Sequence, residues 1–147
     1  MTNASSETGP VVLWLSSRFE NIELVLAAVG NVCREHAISE DVEHWIGMAV
    51  REAVANAIKH GNKLDPAKKV FVSLDVSGDQ LTIVVGDEGE GFEPEKVADP
   101  LSPENTMKTS GRGIFYIRSF MDELSFTRGE NGGTILTMRK NLKQAEP

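Results

Sequence analysis

The sequence predicts an α+β domain: a two-layer sandwich with helices packed on one face of a mixed, mostly antiparallel sheet. Three observations carry that reading. Apolar residues recur at helical spacing in two long segments between residues 21 and 61. Two pairs of segments rich in β-forming residues, each joined by a short glycine-containing turn, read as hairpins. The order is strand, helix, helix, hairpin, lid, helix, hairpin, with no internal repeat and no second domain.

Residues 1–10 (MTNASSETGP) are small and polar and read as a frayed N-terminal tail. Val11 to Ser17 is short and β-rich, a strand suited to the edge of the sheet. From Asn21 to Ala37, Ile22, Val25, Leu26, Val29 and Cys33 form an apolar helical stripe. Cys33 lies on that stripe and reads as a small buried hydrophobe. Ser39 opens a second helix, with Asp41 and Glu43 in the first turn, where the helix dipole favours acidic groups. That helix is expected to run to about His60 and stop at Gly61. One face carries Ile46, Val50, Ala53, Ala57 and Ile58; another stacks Glu52, Asn56 and His60 at four-residue intervals.

Lys69–Val76 and Gln80–Val85, joined by Ser77-Gly78-Asp79, form the first expected hairpin. Residues 93–110 show no sustained period. Pro94, Pro100 and Pro103 forbid a continuous helix there, so the segment reads as a lid or binding loop. A third helix is expected from Ile114 to about Met121, with Ile114, Ile117 and Met121 or Phe120 inward. Leu124–Thr127 and Thr134–Arg139 close the fold as a hairpin across Gly129–Gly133. The domain is placed at residues 11–141, with a C-terminal tail at 142–147.

Composition narrows the function classes. The chain has 147 residues, 40% of them hydrophobic and 25% charged, as in a soluble globular domain. Fifteen basic residues against 22 acidic ones give a net charge of -7, a balance that repels a nucleic-acid backbone. No apolar run approaches the ~20 residues of a membrane span, and no secretory signal opens the chain. A single cysteine excludes an internal disulfide and disfavours structural zinc. The chain is therefore expected in the cytoplasm.

Three short motifs carry chemistry. Glu52 and Asn56, one helical turn apart, offer a proton acceptor and a neutral oxygen ligand to one point, a pairing that suits Mg²⁺. Ala53, Ala55 and Ala57 leave room for a ligand beside the helix. Asp87-x-Gly89-x-Gly91 follows a strand, and its glycines allow backbone to approach a ligand closely. Gly111-Arg112-Gly113 precedes a helix, where free amides and the dipole favour an anion. Each motif has a plain structural counterpart when taken singly: a solvated helix face, an acidic turn, a flexible helix start. Gly132-Gly133-Thr134 likewise reads as a tight hairpin turn.

Together and in this order, Glu52 to Asn62 (EAVANAIKHGN), Asp87 to Phe92 (DEGEGF), Gly111 to Ile114 (GRGI) and Gly133-Thr134 resemble the GHKL ATPase superfamily of gyrase B, the heat-shock chaperone, histidine kinases and MutL. They are similar to its N, G1 and G2 boxes. The His60-Gly61 pair and the helix Ile114 to Leu124 (IFYIRSFMDEL) are most similar to bacterial anti-sigma factor serine/threonine kinases.

The resemblance implies ATP and Mg²⁺ as cofactors. It implies that Asn56 coordinates Mg²⁺, and that Glu52 is the catalytic base toward a serine or threonine hydroxyl on a protein. It implies Asp87 for the adenine amine with Thr134 assisting through water, Gly89 and Gly91 against adenine and ribose, and Gly111 and Gly113 for phosphate amides. The group's arginine before the G2 glycines is absent here, where Lys108, Thr109 and Ser110 stand. Lys108 or Arg112 is expected to take its place. The resemblance further implies a partner switch between a sigma factor and a STAS-type anti-anti-sigma protein, a homodimer, and no direct nucleic-acid or membrane binding. The alternative is a nucleotide-gated binding regulator with little or no kinase activity.

Overall fold

The computed structural model describes residues 9–90 and 117–143. Strand β1 (Val11–Ser16) leads through a 3-10 turn (Phe19–Asn21) into helix α1 (Ile22–Glu35) and helix α2 (Glu40–Asn56). A π-helical turn (Ala57–Gly61) then leads to strands β2 (Lys69–Ser77) and β3 (Gln80–Gly86). Residues 117–120 are helical, and strands β4 (Glu123–Arg128) and β5 (Thr134–Asn141) follow. The five strands lie in the order β1-β2-β3-β5-β4, and all four pairings are antiparallel. β1 takes the edge position expected of it.

Alternation along the strands sets the two faces. Leu13 faces Val72 and Leu74 faces Ile83, which faces Met138. These side chains meet the apolar stripes of α1 (Val25, Val29, Cys33) and α2 (Ile46, Val50, Ala53) in one continuous core. Val25, Val50, Val72, Ile83 and Met138 are fully buried. Burying each such large side chain contributes roughly 1.5–3 kcal/mol. On the opposite face, Trp14 packs edge-on against Phe71 at 4.9 Å and stays 61% exposed.

Local signals set the helix ends. Helix α1 closes at Ala37, whose φ of 54° lets the Ile38 amide donate to the Cys33 carbonyl at 2.9 Å. The Ser39 hydroxyl accepts from the Val42 amide at 3.3 Å, the expected cap of α2.

The far end of α2 corrects the expected regular helix to His60. Helical bonding changes after Asn56: the Asn62 amide reaches back to Ala57 and the Leu64 amide to Ile58, both at 2.8 Å. The left-handed residues that end the turn are Lys63 and Leu64 (φ 54° and 64°), not Gly61. The physical reason is tertiary: the wider turn carries Gly61 against the residue after β3 and sends the Asn62 side chain into the core, where new hydrogen bonds offset the looser helix. The third helix is described only from residue 117, so Ile114 lies outside the described residues. Ile117 and Met121 face inward, and Phe120 is half-buried.

Candidate functional site

Helix α2 presents Glu52 and Asn56, one turn apart, on one side of its last turns. Glu52 is half-buried, and that burial pushes its carboxyl above the ordinary value of 4.5. The Asn56 side chain and the charges of His60 and Lys59 oppose the shift. Glu52 and Asn56 share one side of the helix as expected, whereas His60 falls in the π turn beyond it. The pair gives a carboxylate with strengthened affinity for a proton beside a neutral amide oxygen.

Asp87 follows β3 directly and is buried, with 8% of its surface exposed. Its backbone amide donates to the Thr134 carbonyl at 3.0 Å, extending the β3–β5 ladder by one rung. Its Oδ1 accepts from the Gly89 amide at 2.9 Å and the Thr134 amide at 3.1 Å. Among the described residues, one carboxylate oxygen is thus held by the backbone and the other, Oδ2, packed against Gly61, accepts no hydrogen bond.

Three glycines enclose this carboxylate because a side chain would occupy the same space. A Cβ on Gly61 would overlap the Asp87 carboxyl group, one on Gly89 would overlap the Gly61 carbonyl, and one on Gly133 would overlap the Asp87 carbonyl. The hairpin glycines divide their tasks. Gly132 takes the left-handed turn at φ 92°, whereas Gly133 permits the close approach. The π turn links the two halves, since Gly61 lies five residues beyond Asn56 and touches Asp87.

The structure therefore brings together Asp87, Gly89 and Thr134 by direct hydrogen bonds, and places Glu52 and Asn56 on the helix that abuts them. Gly91, Lys108, Gly111, Arg112 and Gly113 lie outside the described residues.

Two supporting residues were not singled out from sequence. Asn62 is 0% exposed and fully engaged: its Nδ2 donates to Ser17 Oγ (2.7 Å) and the Lys69 carbonyl (3.0 Å), and its Oδ1 accepts from the Glu88 amide (2.8 Å). Glu88 returns the tie by accepting from the Lys69 amide at 2.6 Å. Together they fasten the segment carrying Asp87 to the ends of β1 and β2. In the sequence both residues stand inside the runs that carry the family resemblance, Asn62 closing Glu52–Asn62 and Glu88 within Asp87–Phe92, but no local pattern marks them as a tie between segments. Gly61, read as a helix stop, and Gly133, read as a turn, prove to be packing residues of the Asp87 cradle.

The arrangement offers a recessed carboxylate acceptor walled by backbone, next to a carboxylate–amide pair on a helix. Those groups fit a nucleobase amine at Asp87 Oδ2 and an oxygen-seeking cation at Asn56. Residues 15–140 match the histidine kinase-like ATPase domain family. The chain is 32% identical over 140 residues to the serine-protein kinase RsbW of Staphylococcus epidermidis, covering 90% of this chain and 86% of that one. It is 36% identical over 99 residues to the anti-sigma F factor of Clostridium perfringens, covering 66% and 71% of the two chains. The solved RsbU and RsbW domains of a Mycobacterium tuberculosis protein superpose with a TM-score of 0.66 at 21% identity; this likeness covers 90% of this chain, which spans 32% of that one, and it shows the shared fold. On sequence and fold alike, the chain belongs to the histidine kinase-like ATPase domain family.

Proposed function

We propose that this chain is an ATP- and Mg²⁺-dependent protein serine/threonine kinase. It acts as an anti-sigma factor in a cytoplasmic partner-switching module and phosphorylates a STAS-type anti-anti-sigma protein. The observation that supports the kinase reading is the half-buried Glu52 one helical turn from Asn56, on the helix whose closing turn carries Gly61 against Asp87. The names and extent of the two curated relatives support the partner-switching role. Residues 11–141 form the kinase domain in this reading, between tails at 1–10 and 142–147.

Each described residue has a task. Asp87 Oδ2 accepts from the adenine amine while Oδ1 stays locked to two backbone amides, so the carboxylate is oriented before any ligand arrives. Thr134, pinned through its own amide, assists at the same edge. The Gly61, Gly89 and Gly133 backbone packs directly on Asp87 and its neighbours and so holds the carboxylate in place. Asn56 contributes a neutral oxygen for the metal. Mg-ATP supplies the transferable phosphoryl group and the cation that balances its charge. Glu52 accepts the proton of the acceptor hydroxyl, and burial raises its proton affinity toward that task. Gly91, Lys108, Gly111, Arg112 and Gly113 complete the phosphate side in this proposal. The exposed Val12 and Trp14 on the open side of edge strand β1 suit the homodimer.

The test incubates the purified chain with Mg-[γ-³²P]ATP and each STAS-domain protein of the same genome. One of them is expected to be labelled on serine. Glu52→Ala is expected to abolish labelling while fluorescent-ATP binding persists. Labelling by Glu52→Ala at the wild-type rate would remove Glu52 as the base. Retained nucleotide and partner binding with no labelling by the wild type would favour a nucleotide-gated binding regulator.

A further inference from the structure

Helix α2 carries a stripe that nucleotide handling does not use. Trp45, Met48 and Glu52 follow at i, i+3 and i+7 and so share one side of the helix. Trp45 is 47% exposed and Met48 43% exposed. Trp45 is nevertheless held in place: it stacks on the Phe120 ring at 6.2 Å with planes 22° apart. Phe120 is itself clamped by Lys140, whose Nζ lies 4.4 Å from the ring centroid and donates to the Phe120 carbonyl at 2.9 Å. A rigidly seated, half-exposed aromatic beside a methionine is the composition of a protein-binding surface. Seven residues of α-helix place Trp45 roughly 10 Å from Glu52 along the axis. The Asp87 cradle takes up the other end of the helix, so among the described residues the exposed surface continuing from Glu52 along α2 is this stripe.

We infer that Trp45, Met48 and Phe120 form the docking platform for the phosphoacceptor protein, which sets an apolar side chain on them while its hydroxyl reaches Glu52. Asp41, exposed and one turn before Trp45 on the same side, faces a basic group of that partner. The stripe is continuous with the candidate base, and about three extended residues span the interval. The inference rests on the kinase reading of the Glu52 site and adds what that reading lacks, the surface that recognises the substrate protein.

The experiment measures steady-state transfer to the STAS-domain protein labelled in the assay above. Trp45→Ala and Met48→Ala are each expected to raise the KM for that protein about tenfold, the effect of losing one interface anchor. The kcat at saturating acceptor and the affinity for fluorescent ATP stay within about twofold. Trp45→Phe, which keeps a ring against Phe120, restores most of the loss, and Asp41→Lys raises KM in the same direction. Trp14 and Trp45 are the two tryptophans, so in a Trp14→Phe background the emission of Trp45 is expected to shift to the blue when the acceptor binds. Unchanged acceptor KM in both alanine variants, or unchanged Trp45 emission at saturating acceptor, overturns the platform and leaves the kinase reading intact. If the wild type labels no STAS-domain protein, both fall together.

Discussion

Replacing Asn62 by alanine tests whether the site depends on a buried polar tie rather than on the hydrophobic core alone. The side chain makes three hydrogen bonds, at 2.7, 3.0 and 2.8 Å, to three separate segments. Each contributes roughly 1 kcal/mol net, and removal leaves the Glu88 amide and the Lys69 carbonyl without this partner. The expected loss is about 3 kcal/mol, a sizeable share of the ~5–15 kcal/mol that holds a domain of this kind together. At ~3 °C per kcal/mol for this length, the melting midpoint falls by roughly 10 °C. Differential scanning calorimetry and urea titration followed by circular dichroism would measure it. Asn62→Asp keeps the acceptor for Glu88 but sets a carboxylate against the Lys69 carbonyl, so it is expected to destabilise as well. Nucleotide affinity should weaken in both variants, because the Glu88 amide adjoins Asp87. A loss below about 1 kcal/mol in Asn62→Ala would refute the claim that this residue fastens the site.

Gly133→Ala should cost both stability and nucleotide affinity, since its methyl overlaps the Asp87 carbonyl, whereas Gly132→Ala should act through its left-handed φ and spare the cradle; paired melting and fluorescent-ATP titrations separate the two. Glu52 must be ionised to accept a proton, so the acid limb of phosphoryl transfer is expected above the ordinary glutamate value of 4.5, read from a pH–rate profile of kcat. The same shift has a stability sign: between 4.5 and the raised folded value the native state binds more protons than the unfolded chain. Stability contributed by this group therefore falls as pH rises through that window, and Glu52→Gln removes the dependence. Cys33, buried and with its thiol pushed up to about 11 chiefly by burial, should resist alkylation by iodoacetamide at pH 8 in the folded protein and react once unfolded.

Much of this architecture was written in local patterns. The alternation of Lys69–Val76, the stripe of Ile22, Val25, Val29 and Cys33, and the Ser39 cap depend on neighbours within a turn or a strand, so they could be read from spacing. The same holds for Glu52 and Asn56, whose one-turn separation on a helix brings them together whatever surrounds them. Asp87 could be placed after a strand, but its orientation could not. That depends on the Gly89 and Thr134 amides, and Thr134 is 47 residues away.

The sequence by itself thus determined most of the elements and the pairing of Glu52 with Asn56 on one helix side, because hydrophobic period, caps and turns act over a few residues. The tertiary structure alone decided how those residues meet. It widened the end of α2 into a π turn, gave Gly61 and Gly133 packing rather than turning roles, and buried Asn62 as a three-way tie. Each of those outcomes depends on atoms far apart in the chain occupying the same few ångströms, and steric exclusion and hydrogen-bond satisfaction at such distances leave no periodic trace in the sequence.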